Sequence, residues 1–539
     1  MRWTQGNATV VERDDSRSAS SNEGRDDQRG QREGSQSEGS QRAGSQRAGS
    51  QSRRSQGKRG GYGGGAGSDG GRAQGGGRGQ SGGGASRGTG ASGGGARGTQ
   101  KKAPERNARD LALEALLRVE NGAFSHVLMP SMLRTSTLAP IDRAQVTNLV
   151  YSTLRGRGRV DYLLSKVLDR PLDAIEQPVV AGLRLGVQEL LNGVAPHAAV
   201  GETVESIGRR RPMAKGFANG VLRSVSRLGP EWPWPEGDSD AAVAIRTSHP
   251  EWLVARLRAD LGHDLAAKVL DANDTVPGVT LRLNPRFSTL DELIGDLEDG
   301  GVTVERGRLM PNALVVSGTG DPRTLPAVSE GRATPQDEAS QAVATAIGAL
   351  PGERILDICS APGGKTTAIA EAMGDSGFIL AADRYAGRVR LVMDGAERLG
   401  LVSIHTFVGD ARDVPIAPAS FDRVLLDAPC SGLGVLRRRA EARWRISPDD
   451  PEVLGKLQQE MLLEASRLVK PGGLLAYSVC TLSSDETIGV DKWAQSALPR
   501  FEAQPIPASP WIAHGRGALL TPDAAGTDGM YLLLLKAPE

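Results

Sequence analysis

The sequence predicts a multidomain chain: a long Gly-rich tail, an all-α bundle, a small α+β module and a C-terminal α/β domain built on a doubly wound sheet. Three observations predict it. Helical apolar stripes recur between about 104 and 228, short strands alternate with helices between about 240 and 330, and from Gly352 onward apolar runs alternate with helical stretches. At roughly 150 residues per domain, a chain of 539 residues has room for three such parts.

Composition narrows the classes. There are 65 basic and 64 acidic side chains, so the net charge is +1, yet 22 of the 70 glycines fall within residues 51–100. The averages therefore describe two materials, a Gly-rich tail and an ordinary globular body. No apolar run reaches the roughly 18 residues that a membrane-spanning helix needs. The opening MRWTQGNATVVERDDSRS has no apolar core, so no secretory signal is expected. Three cysteines are too few for a disulfide framework, and a reducing cytoplasm is the expected compartment. The six histidines never pair with cysteines at metal-ligand spacing, so no metal site is expected.

Residues 1–103 form the tail. REGSQ SEGSQ RAGSQ RAGSQ SRRSQ is a five-residue repeat without a large apolar side chain, and nothing in it can offset its ordering entropy. Disorder is expected, with an end-to-end reach of about 55 Å for a flexible coil of this length. Residues 51–100 hold 8 Lys/Arg against one Asp. An electrostatic tether for RNA and an inert solvated spacer are both consistent with that composition.

The bundle spans 104–228. ARDLALEALLRVE has apolar residues at 112, 113, 116, 117 and 119, one helical face. RAQVTNLVYSTLRGR, PVVAGLRLGVQELL, VGETVESIGRRRP and GFANGVLRSVSRL continue the pattern as short-linked helices. Arg155, Arg157, Arg159, Arg209, Arg210, Arg211 and Lys215 are candidate phosphate contacts, although a solvated helix face accounts for them slightly better. The Pro/Trp-rich GPEWPWPEGD opens the next part, 229–335. There EWLVARLRADLG, VTLRLN, STLDELIGDLEDGG, VTVERG and ALVVSG read helix, strand, helix, strand, strand.

The last domain, 336–539, carries the chemistry. Its strands read RILDIC, FILAAD, IHTFVGD, RVLLDAP, LLAYSVC and YLLLLK, and ligands of such sheets bind at the strand carboxyl ends. After the first strand come Cys359, Ser360, Ala361, Pro362, Gly363, Gly364 and Lys365, then a helix. Glycines at that turn let backbone N–H groups approach a ligand. GGKT is not a P-loop, because Cys359 stands where the first glycine of that motif belongs, and the dinucleotide fingerprint is absent too. Asp383 ends the second strand and can accept from a ribose; Asp410 ends the third and can meet an adenine amino group. The fourth strand ends in Asp427-Ala-Pro-Cys430 and the fifth in Ser-Val-Cys480-Thr. All three cysteines thus lie at one edge of the sheet. A lone buried cysteine is usually a small hydrophobe, but this concentration favours thiolate chemistry.

DICSAPGGKT, DAPCSG and SVCT together resemble the RNA cytosine-C5 methyltransferases, whose Rossmann-like class I domain uses S-adenosylmethionine. ARDLALEALLRV, LVYSTLRGRGRVDYLL, LRLGVQELL and GFANGVLR resemble the RNA-binding NusB fold. That order is similar to the Sun/RsmB family of small-subunit (16S) rRNA methyltransferases, over about 104–539. The resemblance implies Cys480 as the nucleophile toward cytosine C6, Asp427 as a hydrogen-bonding partner of the base near N3, and Cys430 as an aid to adduct breakdown. It also implies S-adenosylmethionine held by the loop 359–365 with Asp383, Asp410 and Asp427, and a small-subunit rRNA partner for a cytoplasmic, monomeric, metal-free protein. The sequence departs from the family at Ala440, where Pro is common, and at GTDGMYLLLLK, which replaces a double-Phe pattern. Arg437, Arg438, Arg439, Arg443 and Arg445 with Trp444 are expected to contact RNA. The rival readings are the same chemistry on tRNA or another rRNA cytosine, a non-catalytic RNA-binding assembly or antitermination factor, and, failing on Cys359, a P-loop ATPase.

Overall fold

Asn107 opens the first helix with a capping box: its side chain accepts from Asp110 N, and its own N–H donates to Asp110 Oδ2. The computed structural model describes residues 107–539, so the expectations for the tail, 1–103, lie outside the described residues. Six helices follow one another here: α1 (Ala108–Glu120), α2 (Ser125–Arg134), α3 (Pro140–Ser165), α4 (Gln177–Leu191), α5 (Pro196–Arg210) and α6 (Lys215–Ser226). Five match the stripes in the sequence. The sixth, α2, carries Pro130, which obscures it in a pattern search. Helix α4 is buried around most of its circumference, so the others pack about it.

Three helices come next, α7 (Asp240–Thr247), α8 (Glu251–Leu261) and α9 (His263–Asn273). Their apolar faces (Val243, Leu253, Leu257, Val269 and Leu270) share one core with the large C-terminal sheet. The small module then folds as β1 (Val279–Leu283), α10 (Leu290–Asp299), β2 (Thr303–Arg306), β3 (Ala313–Ser317), α11 (Pro326–Ser329) and β4 (Ala333–Pro335). Its sheet is antiparallel in the order β2-β3-β1-β4. The period-2 alternation of β1 turns Leu281 and Leu283 toward α10 and sends Arg282 to the opposite face.

The C-terminal domain begins with α12 (Glu338–Ala346) and β5 (Arg354–Ile358), then α13 (Gly364–Ala372), β6 (Phe378–Asp383), α14 (Ala386–Arg398), β7 (Ile404–Val408) and β8 (Phe421–Asp427). It closes with α15 (Asp450–Leu468), β9 (Val469–Val479), α16 (Ile488–Ala497), β10 (Glu502–Ala503), β11 (Ile512–His514), β12 (Gly517–Leu520), α17 (Pro522–Ala525) and β13 (Met530–Lys536). The strand order is β11-β12-β13-β9-β8-β5-β6-β7, with β10 also pairing β13. Strands β5 to β9 run parallel, and β13 returns antiparallel beside β9. Alternate residues feed opposite cores: Leu356, Val424, Leu426 and Leu475 one, Ile355, Leu425 and Ala476 the other. The chain proceeds outward from β5 through β6 to β7, then returns to the other side of β5 as β8. That reversal opens a crevice between the carboxyl ends of β5 and β8, where a doubly wound sheet binds its ligand. Among the described residues no helix is long and apolar enough to cross a membrane.

Candidate active site

The loop leaving β5 is shaped by backbone demands. Cys359 adopts φ +64° and Gly363 φ +101°, the latter as N-cap of α13. A Cβ on Gly363 would stand 3.1 Å from Val392 Cα, so only glycine lets α13 and α14 close around this turn. Ser360 ties the loop to β6 through N and Oγ, both donating to Ala382 O, at 2.9 and 3.1 Å. Arg282, sent to this side by the pleat of β1, donates to Gly364 O at 2.9 Å and forks onto Glu371 of α13. The small module thereby braces the glycine loop from behind.

Carboxylates collect beneath that loop. Asp357 is buried on β5 and accepts from Thr366 Oγ1 at 2.5 Å, while its Oδ1 has no partner. Burial raises its carboxyl to about 7. Asp383 ends β6, buried, and accepts from Tyr385 N at 3.1 Å with Arg388 at 3.4 Å. Asp410 lies two residues past β7 and gives both oxygens to Arg412, which holds it down at about 2. Burial, and then the charges of Asp383, Asp427 and Asp357, push the Cys359 thiol up to about 12. Cys359 is therefore a neutral packing side chain against the core and no nucleophile.

The other two cysteines are different. Cys430 Sγ and Cys480 Sγ lie 3.3 Å apart, each partly open to solvent. The hydrogen bond between them lowers Cys480 and raises Cys430, a division that fits their neighbours. At Cys480 burial and the charge of Asp427 oppose the thiolate and Lys365 favours it, whereas at Cys430 burial and Glu486 both oppose it. Lys365 is mostly buried and donates to Asp427 Oδ2 at 2.8 Å. Burial alone would lower Lys365, but Asp427, then Cys480 and Asp357, hold it above its ordinary value. The ion pair spans the crevice from the β5 loop to the end of β8. It places a cation, a carboxylate and two thiols together at the switch point.

The structure thus brings Cys480, Cys430, Asp427 and Lys365 into one cluster, with Asp383 and the loop 359–365 across the crevice; Asp410 sits at its rim, engaged by Arg412. Pattern reading overlooked Glu486, Arg282, and the Arg438–Asp528 pair, whose charges both act on or feel Cys480. Only Glu486 had a sequence signal, a carboxylate six residues beyond Cys480.

The expectation for the arginine run after Cys430 needs correction. Arg443 is fully buried and donates to Ser248 O at 2.9 Å and to Asn273 O and Leu436 O at 3.2 Å. Arg445 donates to Val119 O and Ala123 O, Arg437 to Gly526 O, and Arg438 to Asp528. Trp444 packs where Gly158 of α3 allows it: a Cβ there would meet the ring at 3.1 Å. Between them Glu441 accepts from Ser125 N and Oγ at the start of α2. Glu441, Arg443, Trp444 and Arg445 join this segment to the helices that precede it, while Arg437 and Arg438 are engaged within the C-terminal part; in the run, Arg439 alone is exposed without such a bond among the described residues. The basic points of the bundle are similarly engaged: Arg159 with Asp274, Arg209 with Asp110, Arg211 with Glu176 and Lys215 with Glu205.

Comparison with known proteins adds the family context. Residues 344–536 match the family described as 16S rRNA methyltransferase RsmB/F, residues 106–227 the NusB family, and residues 249–321 the RsmF/B-like ferredoxin-like domain. The chain is 35% identical over 446 residues to a probable ribosomal RNA small subunit methyltransferase B of Bacillus subtilis, covering 80% of this chain and 98% of that protein. It is 35% identical over 388 residues to ribosomal RNA small subunit methyltransferase B of Salmonella paratyphi C, covering 71% of this chain and 88% of that one. Among solved structures, PH0851 superposes with a TM-score of 0.71 at 26% identity, over 80% of this chain and all (100%) of that chain.

Proposed function

The chain belongs to the RsmB/F family of 16S rRNA methyltransferases, and from that premise we propose that it methylates C5 of a cytosine in small-subunit rRNA through a covalent bond between Cys480 and cytosine C6. Its methyl donor is S-adenosylmethionine. The observation that carries the proposal is the Cys430–Cys480 contact at 3.3 Å, beside a buried lysine paired with Asp427. A site that only bound RNA would have no use for two thiols poised to share one proton.

The crevice fits the donor. The turn at Gly363 leads into the N-terminus of α13, Asp357 keeps an unpartnered buried oxygen, and Asp383 closes the end of β6. Cys359, Ser360, Ala361, Pro362, Gly363, Gly364, Lys365, Asp383, Asp410 and Asp427 are the residues assigned to hold it. When bound, S-adenosylmethionine supplies an electrophilic methyl group.

The protein's side chains do the rest. Cytosine C5 is a weak nucleophile, so Cys480 attacks C6 as the thiolate; the C5=C6 pair moves to C5, which takes the methyl group. Asp427 hydrogen-bonds the base near N3, and the Lys365 ammonium behind it supports the charge that develops there. The C5 proton then leaves to water, its electron pair re-forms C5=C6, and Cys480 departs as a thiolate. The Cys430 thiol donates to that departing sulfur. The target base must be unstacked to reach the site, at a cost of a few kcal/mol that is smaller in a loop than in a duplex. A reaction on rRNA, with three free thiols, suits the cytoplasm.

Transfer of radiolabel from S-adenosylmethionine to unmodified small-subunit rRNA tests this reading. Label recovered as 5-methylcytosine, and abolished by Cys480→Ala, supports it. Label at another atom, or transfer to tRNA and not to rRNA, refutes it.

A further inference from the structure

The two cysteines lie in separate loops just past β8 and β9, whose register ends with Asp427 opposite Ser478; Gly434 N donates to Cys480 O at 3.0 Å, and the side chains of the two loops must do the rest to bring the sulfurs together. The side chain that joins the loops is Glu486, whose carboxylate is fully buried. It accepts from Ser431 N at 2.8 Å, from Ser431 Oγ, from Thr481 Oγ1 at 3.0 Å and from Gln458 Nε2 at 3.0 Å. Ser431 directly follows Cys430 and Thr481 directly follows Cys480, and their hydroxyls also meet at 2.8 Å. Gln458 holds the same loop a second time, donating to Pro429 O at 2.9 Å. From behind, the Tyr477 hydroxyl reaches both Gln458 Oε1 and Glu486 O, at 2.8 and 2.7 Å.

Resting on the two-cysteine reading above, we propose that Glu486 is a positioning residue: it clamps the Cys430 and Cys480 loops together and, by its charge beside Cys430, makes Cys430 the thiol and Cys480 the thiolate. Two like thiols in contact share one proton without preference unless their surroundings differ. Here they differ. Cys480 faces Lys365, with Asp427 and Asp528 nearby and Arg438 within reach, whereas Cys430 faces Glu486 and Tyr477. On the Cys480 side the lysine favours a negative sulfur against the Asp427 and Asp528 carboxylates, whereas on the Cys430 side no cation offsets the glutamate. Glu486 touches no reacting atom; it acts through Ser431, Thr481 and its field. Four donors favour its charged form, although burial raises its carboxyl.

The test uses the full chain without RNA. Limited alkylation with iodoacetamide from pH 6 to pH 10, quantified for each cysteine by peptide mass, reads the two ionisations separately. In the wild type Cys480 reacts first, with its rise at lower pH than that of Cys430. Glu486→Gln removes the charge and keeps an acceptor. A relative loss of one pKa unit then raises Cys430 alkylation about tenfold against Cys480 at pH 7.5. Methyl transfer falls, and the KM for S-adenosylmethionine is unchanged. An unchanged alkylation ratio in folded Glu486→Gln overturns the proposal. Should that variant not fold, Glu486→Asp and Ser431→Ala decide. Both keep the charge and are expected to keep Cys480 preferred; loss of the preference in either overturns the electrostatic role. Failure of the wild type to methylate any RNA would instead sink the functional reading, whatever the thiols show.

Discussion

In Cys430 and Cys480 two identical side chains 3.3 Å apart are assigned opposite tasks, and what separates them is the hydrogen bond they share together with the charges on either side. Lys365 is the cation on the Cys480 side, so its removal should be visible in the pH profile. The sign follows from the thiol. Cys480 is lowered in the folded protein, so the reactive thiolate persists down to a lower pH than an ordinary cysteine allows and is lost as pH falls through that value. Lys365→Met takes away a group that lowers it and leaves Asp427 without its partner. The acid limb of methyl transfer should move to higher pH, with a rate loss of about tenfold per unit at neutral pH. A limb that stays in place would show that Lys365 serves the donor alone. Much of this site is legible in the sequence, because Cys480, Cys430, Asp427 and Asp383 all lie at or just past strand ends, and strand ends of one parallel sheet converge. The pairings are not legible. Lys365 and Asp427 are 62 residues apart, and Glu486 sits just before a helix where a cap would be expected.

At the level of elements, the reversal between β5 and β8 makes the crevice, and the segment 437–445 fastens the helical part beside it. Arg443 is the centre of that fastening: one buried guanidinium serves three carbonyls from three segments. Burial pushes it down to about 9, so it stays cationic near neutrality. Arg443→Ala would leave those carbonyls unpaired around a cavity, a loss of about 3–5 kcal/mol. The expected result is a lower urea midpoint together with weaker rRNA methylation. Restoration of neither by Arg443→Lys is also expected, since an ammonium cannot span the three acceptors. Full activity and stability in Arg443→Ala would show the fastening to be incidental. A basic run interleaved with Trp has the same composition whether it meets phosphate or its own chain, and only the fold tells the two apart. The hairpin of β11 and β12 was equally hidden, since three or four residues carry too little alternation to read as strands. The long strands, each buried on both faces, were plain.

For the whole molecule the distribution of charge is uneven. Residues 1–102 carry 18 Lys/Arg and 9 Asp/Glu, which leaves 47 basic and 55 acidic side chains for residues 103–539. A body with net charge −8 does not by itself attract a polyanion, and many of its arginines are engaged with carboxylates or carbonyls of the same chain. The basic surplus of the tail is therefore expected to supply much of the salt-dependent affinity for rRNA. Deleting residues 1–102 should weaken rRNA binding at low salt and flatten the slope of log K against log salt by roughly 0.7–0.9 for each phosphate that the tail neutralises. Binding of S-adenosylmethionine should not change. An unaltered salt slope would make the tail a spacer.

The central claim, a covalent bond from Cys480 to the cytosine, has a direct measurement. Cys430→Ala protein, incubated with S-adenosylmethionine and small-subunit rRNA, is run on a denaturing gel and probed for RNA attached to protein. The mechanism predicts a stable adduct, because the thiol that assists release is gone. It also predicts that the adduct disappears when Cys480→Ala is added to the same chain. An adduct that survives Cys480→Ala would contradict the assignment of the nucleophile. Methyl transfer at the wild-type rate by Cys480→Ala would contradict the covalent route itself.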